Sequence, residues 1–158
     1  GKYYYVVTPN VDHIVKLQND SYFLNVYKEA DMVLTDGMPL IWYSKLIGNP
    51  IIEKISGSDL FPKVCELSAS KGYRIFLLGA AEGIAEIAKR NLQSKYNGLK
   101  IVGTYSPEYG FENDFNKINE IINMINHYKP DILAVGLGLL NKKNLYIGIK
   151  INLRFLLV

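Results

Sequence analysis

The sequence predicts one α/β layered domain, and three observations predict it. Short strand-like runs alternate with stretches of helical apolar period along most of the chain. The inner strand candidates are continuous apolar runs, as expected of parallel strands covered on both faces. The chain has 158 residues, 49% hydrophobic and 21% charged, enough to build one core and too apolar for intrinsic disorder.

Each element follows from local chemistry. Residues 3–8 are aromatic and β-branched, which favours a strand; Pro9 stops it, and Asn10 is placed to cap a helix over Val11–Leu17. Ser21–Ala30 reads as a second short helix, with Phe23, Leu24 and Tyr27 on one side. Asp31–Thr35 reads as a short buried strand ended by the Asp36-Gly37 turn, and Pro39–Leu46 as an apolar helix containing Trp42. Ser56 and Asp59 have capping-box spacing ahead of Leu60, Phe61, Val64 and Leu67. Gly72 ends that helix and Tyr73–Leu78 is a strongly apolar strand. The turn Gly79–Gly83 leads to a helix whose Ile84, Ile87, Ala88 and Leu92 repeat at three and four. Lys100–Tyr105 is a strand, Ser106–Asp114 a polar and aromatic loop, Ile118–Ile125 a helix face, and Asp131–Gly138 the last clear strand. The expected result is a Rossmann-like layered domain, a mostly parallel sheet flanked by helices.

Charge divides the chain at residue 138. Lys142, Lys143, Lys150 and Arg154 occur without an acid in the last twenty residues, which leaves residues 1–138 at −1 of the total +3. A near-neutral body argues against a nucleic-acid partner, which calls for a basic face on the domain itself. Residues 1–138 are thus expected to form the core and 139–158 a basic apolar tail. That tail fits an anionic membrane surface, an acidic partner, or a plain terminal strand with solvated lysines. The single cysteine, Cys65, excludes a disulfide framework and reads as a buried small residue. No run of 18 apolar residues occurs, so no membrane-spanning helix is expected. The chain opens at Gly1 on a strand-like run without a signal peptide, which fits a piece of a longer protein.

Open α/β sheets bind ligands beyond the carboxyl ends of their strands. Those ends carry Thr8-Pro9-Asn10, Thr35-Asp36-Gly37, Gly79–Gly83, Tyr105-Ser106-Pro107 and Gly136-Leu137-Gly138. Gly79–Gly83 fits either close packing of a strand-to-helix turn or a phosphate cradle of free N–H groups. It is not the dinucleotide fingerprint, and no P-loop occurs, so a nucleoside diphosphate is the specific expectation. Asp36 fits a general base projecting into a cleft, and equally a plain turn former. Asn10 fits a helix cap or an amide offered to a sugar or base, and Asp59 fits a cap better than a catalyst. His13 and His127 lack neighbouring ligands, so a histidine metal site is not expected. No Asp-x-Asp occurs, so any diphosphate would be neutralised by helix N-termini and basic side chains rather than by a metal, and no cofactor is expected.

Five blocks together resemble the WecG/TagA/CpsF glycosyltransferase family. They are Val7-Thr-Pro-Asn10-Val-Asp-His13, Leu34-Thr-Asp-Gly-Met-Pro-Leu40, Ile55-Ser-Gly-Ser-Asp-Leu60, Phe76-Leu-Leu-Gly79 and Lys129-Pro-Asp-Ile-Leu-Ala-Val-Gly-Leu-Gly138. The resemblance implies an inverting, metal-independent transferase moving N-acetylmannosamine from a UDP-sugar. The implied acceptor is N-acetylglucosamine linked to undecaprenyl diphosphate, in teichoic-acid or related cell-wall polymer synthesis. It implies a peripheral location on the cytoplasmic face of the plasma membrane. Asp36 would be the base, with Thr8 and Asn10 lining its pocket. Lys54, Ser58, Asp59, Gly79, Gly83, Gly136 and Gly138 complete the candidate substrate contacts. Lys54 stands near a position where the family often has arginine, and a lysine supplies charge without a bidentate fork. Leu139-Leu-Asn-Lys-Lys-Asn144 departs from the family's Pro-Lys-Gln-Glu-like block, and the family's longer basic carboxyl-terminal part has no counterpart here. The alternative expectation is therefore a catalytically incomplete nucleotide-binding α/β module. The oligomeric state, a homo-oligomer included, is left open.

Overall fold

The computed structural model describes residues 4–136 and 155–157. Strand β1 (Tyr4–Val7) leads through Pro9 into α1 (Val11–Asn19) and α2 (Ser21–Lys28), and β2 (Met32–Val33) follows. Next come α3 (Met38–Leu46), α4 (Gly57–Lys71), β3 (Arg74–Gly79), α5 (Ile84–Lys95) and β4 (Lys100–Tyr105). A 3-10 turn at Phe111–Asn113, α6 (Phe115–Tyr128), β5 (Ile132–Gly136) and β6 (Phe155–Leu157) complete the order. The strands form one sheet ordered β2-β1-β6-β5-β3-β4, with every neighbouring pair parallel. The expected Rossmann-like layered architecture is the observed one.

Alternation along β3 divides the core into two layers, because successive side chains of a strand point to opposite faces. Phe76 and Leu78 join Leu133, Val135, Phe111, Ile118, Ile121 and Ile125 in one cluster. Ile75 and Leu77 join Ile132, Ile101, Leu99 and Cys65 in the other. Cys65 is fully buried, and burial pushes its thiol up to about 11, so it packs as an apolar residue and is not a nucleophile.

Register at the amino ends of the strands is held by two similar carboxylate clamps. The Asp31 N–H donates to Tyr5 O at 2.9 Å while its Oδ2 accepts from the Tyr5 N–H at 2.9 Å. Asp131 does the same with Arg74, at 2.8 and 3.0 Å. Each clamp uses both hydrogen-bonding groups of a strand's first residues, so a slip would leave a carboxylate and an N–H unpaired.

Two expectations are corrected. The Asp31–Thr35 run is not a buried strand. Only Met32 and Val33 pair, and both are half exposed, because β2 is the outer strand bonded to β1 alone. Helix α5 does not bury the Ile84–Ile87 side: Ala85 is buried, Ala88 and Leu92 pack with it, and both isoleucines are exposed. The small side chains at 85 and 88 let the helix axis approach the sheet, which decides its rotation. A terminal strand is among the readings open for residues 139–158, and one is present. Phe155–Leu157 enters the middle of the sheet between β1 and β5, with Phe155 opposite both Tyr4 and Ile132. The charge boundary at residue 138 therefore does not mark the edge of the sheet. Lys142, Lys143, Lys150 and Arg154 lie outside the described residues.

Candidate active site

The carboxyl ends of β1, β3 and β5 open on one edge of the sheet. β3 is followed in the chain by β4 on one side of it, and β5 by β6 on the other, so the crevice between β3 and β5 is a topological switch point. A cavity of about 360 Å³ lies there. It is lined by Thr8 after β1, Leu77–Ala80 along β3, Ala134–Gly136 along β5, Gly57 and Phe61 of α4, and Ile84, Ala85 and Ala88 of α5. Its walls are mostly apolar with a few backbone polar groups, the usual make-up of a small-molecule site.

The backbone draws the candidate segments together. The Asp36 N–H donates to Pro9 O at 3.0 Å, and the Leu34 N–H to Val7 O at 2.9 Å, so the turn after β2 is stitched to the tip of β1. The Ile55 N–H donates to Thr35 O at 3.1 Å, which ties the approach to α4 to the same turn. A Cβ on Gly57 would come within 3.6 Å of Thr8 Oγ1, so the start of α4 lies against β1's tip. On the far side of the cavity, Gly79 stands opposite Gly136, and the Ala80 N–H donates to Gly136 O at 3.1 Å. Residues scattered from 8 to 136 thus converge on one edge.

Asp36 sits half-buried in this corner, and among the described residues its carboxylate has no hydrogen-bond or ion-pair partner. Gly37 follows with φ +130° and ψ 136°, a conformation open to glycine and strained for any residue with a Cβ, so the Asp-Gly pair is what lets the chain turn into α3 here. Asn10 caps α1, its Oδ1 accepting from the His13 N–H at 3.0 Å. Asp36 and Asn10 are not among the cavity-lining residues; they adjoin it through Pro9 and Thr8.

The remaining candidates fall into two groups. Ser56 and Asp59 form a full capping box at α4: the Asp59 N–H donates to Ser56 Oγ at 3.1 Å and the Ser56 N–H to Asp59 Oδ2 at 3.3 Å. Ser56 Oγ also donates to Asp59 Oδ2 at 2.5 Å and lies 2.7 Å from Ser58 Oγ. Asp59 is held below the usual carboxylate range by the Ser56 hydroxyl, then the Ser56 backbone, with Lys54 and Lys63 adding attraction. Lys54 Nζ is 4.0 Å from Asp59 Oδ2. Ser58, Asp59 and Lys54 therefore serve the helix start, and the cavity touches only Gly57 and Phe61 of that helix. In the second group Gly79 and Gly136 line the cavity, and Gly83 precedes the lining residue Ile84. Gly83 is the N-cap of α5, with φ +77° and no side-chain cap; the Ile84 N–H goes to Ala81 O at 3.0 Å, which leaves the N–H groups of Ala85 and Glu86 for another acceptor beside the cavity. Gly138 lies outside the described residues.

Sequence reasoning missed the apolar wall formed by Phe61, Ile84, Ala85 and Ala88, and named Ser106 only as part of a strand end, without a role. The Ser106 hydroxyl donates to Gly79 O at 3.2 Å and Ala81 O at 3.3 Å, pinning the turn that borders the cavity. Its place just after a strand end was the one available signal. Nothing local marks the wall, since helix rotation decides it. Among the described residues no group of three His, Cys, Asp or Glu side chains is placed to hold a metal ion, and no helix is long and apolar enough to cross a membrane.

A parallel sheet with a cavity at its switch point, flanked by an uncapped helix start, defines a Rossmann-like ligand-binding protein. The chain belongs to the glycosyl transferase WecG/TagA/CpsF family, whose model matches residues 1–147. It is 29% identical over 139 residues to an N-acetylglucosaminyldiphosphoundecaprenol N-acetyl-beta-D-mannosaminyltransferase of Bacillus spizizenii, covering 88% of this chain and 52% of that protein. Proteins of the same name in Bacillus subtilis and Staphylococcus aureus (strain NCTC 8325) are 29% and 22% identical over 119 and 134 residues. Those matches cover 75% and 85% of this chain, and 44% and 50% of the relatives. The chain spans about half the length of the curated relatives it matches.

Proposed function

We propose that this chain carries the donor site and base of an inverting glycosyltransferase. It would move N-acetylmannosamine from a UDP-sugar to N-acetylglucosamine on a polyprenyl diphosphate, in cell-wall polymer synthesis at the cytoplasmic membrane surface. The observation that supports the reading is the hydrogen bond from the Asp36 N–H to Pro9 O, which brings the backbone of residue 36 to the tip of β1, next in the chain to the cavity-lining Thr8; among the described residues its carboxylate has no partner. Asp36 takes the proton from the attacking hydroxyl of the acceptor as that oxygen bonds to the anomeric carbon. The bond from that carbon to the diphosphate breaks on the opposite face, and UDP leaves with the electron pair. Inversion in one step calls for one base and a stabilised leaving group. The free N–H groups at the start of α5 favour the growing negative charge, and Lys54, ahead of α4, is the basic side chain proposed to add to it.

Calorimetric titration tests the donor class. UDP and UDP-N-acetylhexosamines are expected to bind and NAD not to bind. NAD binding as tight as UDP binding would overturn the reading. UDP binding without transfer of labelled sugar would leave the nucleotide-binding module as the function.

Helix α3 supports the lipid-linked acceptor and the peripheral location. It begins two residues after Asp36 and is apolar on nearly every side. Trp42, Tyr43, Leu46 and Ile47 are exposed, with Ile52 just beyond and Lys45 in the last turn. Tryptophan and tyrosine beside a lysine suit a membrane interface, where an apolar body and a polar tip are both satisfied. The Trp42→Glu/Leu46→Glu double variant is expected to lose most of its co-sedimentation with anionic vesicles while keeping UDP affinity; unchanged pelleting would remove α3 from the membrane contact. The contribution of residues 139–158 is better tested by changing Lys142, Lys143 and Lys150 to glutamine than by deletion, since deletion also removes β6 from the centre of the sheet.

A further inference from the structure

The corner between β1 and α1 contains more than a helix cap. His13, in the first turn of α1, is 5% exposed, and its Nδ1 lies 2.7 Å from the hydroxyl of Tyr27 on α2. Its ring meets Phe23 and Tyr27 edge-on at 5.9 and 6.0 Å, and those two rings stand 5.0 Å apart. Burial pushes the Tyr27 phenol above its ordinary range, so it stays protonated and is able to donate to His13 Nδ1. With Tyr27 as donor, Nδ1 is the accepting nitrogen of the imidazole, which is the tautomer carrying its proton on Nε2. The first turn of α1 is thereby tied to α2 by a part-buried hydrogen bond inside an aromatic triangle.

The same residue orients Asn10. The His13 backbone N–H donates to the Asn10 side chain at 3.0 Å, and an N–H can be accepted only by Oδ1. The carboxamide is thus fixed with its oxygen toward the helix, and its NH2 is the end left for another partner. Pro9, next in the chain, accepts from Asp36, so Asn10 belongs to the end of the site where the base acts. The diphosphate end lies across the cavity, at Gly79–Gly83.

We infer that His13 is a positioning residue. Through Tyr27 it fixes the first turn of α1 and so presents the Asn10 NH2 as a dedicated donor to an oxygen of the sugar half of the sugar nucleotide. This rests on the donor-site reading above. It makes the site selective for the sugar-bearing ligand over UDP alone, without adding to the grip on the diphosphate.

The test compares the affinities of UDP and UDP-N-acetylglucosamine in four variants of the full chain. Tyr27→Phe removes one oxygen and keeps the ring; His13→Leu removes the acceptor; His13→Asn restores an acceptor near the Nδ1 position; Asn10→Asp keeps the cap but has no N–H donor. Tyr27→Phe, His13→Leu and Asn10→Asp are expected to weaken the sugar nucleotide about fivefold to tenfold, the worth of one hydrogen bond. UDP affinity is expected to stay constant, and His13→Asn to recover most of the loss. Equal weakening of both ligands, or no weakening in Tyr27→Phe, would overturn the positioning role while leaving the donor site standing. Wild type that binds neither ligand would overturn the donor-site reading and this inference together.

Discussion

Asp36→Asn is expected to lower sugar transfer about a hundredfold to ten-thousandfold, the usual worth of a general base, with UDP affinity and melting temperature nearly unchanged. The physical grounds for separating these effects are local. The backbone N–H of residue 36, not its side chain, bonds Pro9 O, so the asparagine variant keeps the stitch that holds the turn to β1. Among the described residues the carboxylate has no partner whose loss would destabilise the fold. Asparagine is nearly isosteric but cannot take a proton at neutral pH. Transfer of radiolabelled sugar to a lipid-linked acceptor, measured beside UDP calorimetry, checks it. A variant that transfers at the wild-type rate would show that the base lies elsewhere.

The second large effect concerns stability. Gly103→Ala is expected to destabilise the domain by about 2–3 kcal/mol, lowering the melting temperature by about 5–10 °C. A Cβ at residue 103 would stand 2.6 Å from Phe76 Cε2 and 2.9 Å from its Cδ2, with Tyr128 Cε1 at 3.4 Å behind. Phe76 is completely buried between the sheet and α6, so its ring has no free space to withdraw into. The crowding arises where the β3–β4 register shifts: Ile75 faces Ile101, but Phe76 faces Gly103, so Val102 is passed over. Combining Gly103→Ala with Phe76→Leu is expected to recover part of the loss, because the two changes share one volume. Thermal unfolding of the two single variants and the double variant measures that coupling. An additive result would mean that the strand, not the ring, absorbs the new methyl group.

The two predictions differ in how visible their basis was beforehand. Asp36 stood out in the chain because an acid before glycine after an apolar run marks a turn at a strand end. Gly103 did not, since a glycine in a strand shows only that something approaches closely, not what approaches. The Ser56–Asp59 cap was legible from its spacing and was found at that spacing, because capping needs only residues three apart. The face that α5 buries was misread because Ile87 is more apolar than Ala85, whereas the helix turns its small residues inward to approach the sheet. The exposure of β2 and the entry of Phe155–Leu157 into the sheet depend on strand order, and strand order is not local information.

By itself the sequence determined the α/β class, the alternation of strands with helices, the caps and the five blocks that place the chain in its family. These rest on side-chain period and on contacts between near neighbours, which the order of residues states directly. Tertiary structure alone decided that Pro9 accepts from Asp36, that Gly79 pairs with Gly136 beside the cavity, and that His13 finds Tyr27. Those meetings depend on how parallel strands are ordered and how each helix rotates against them. Both are fixed by the packing of the whole core, so no stretch of sequence read alone contains them.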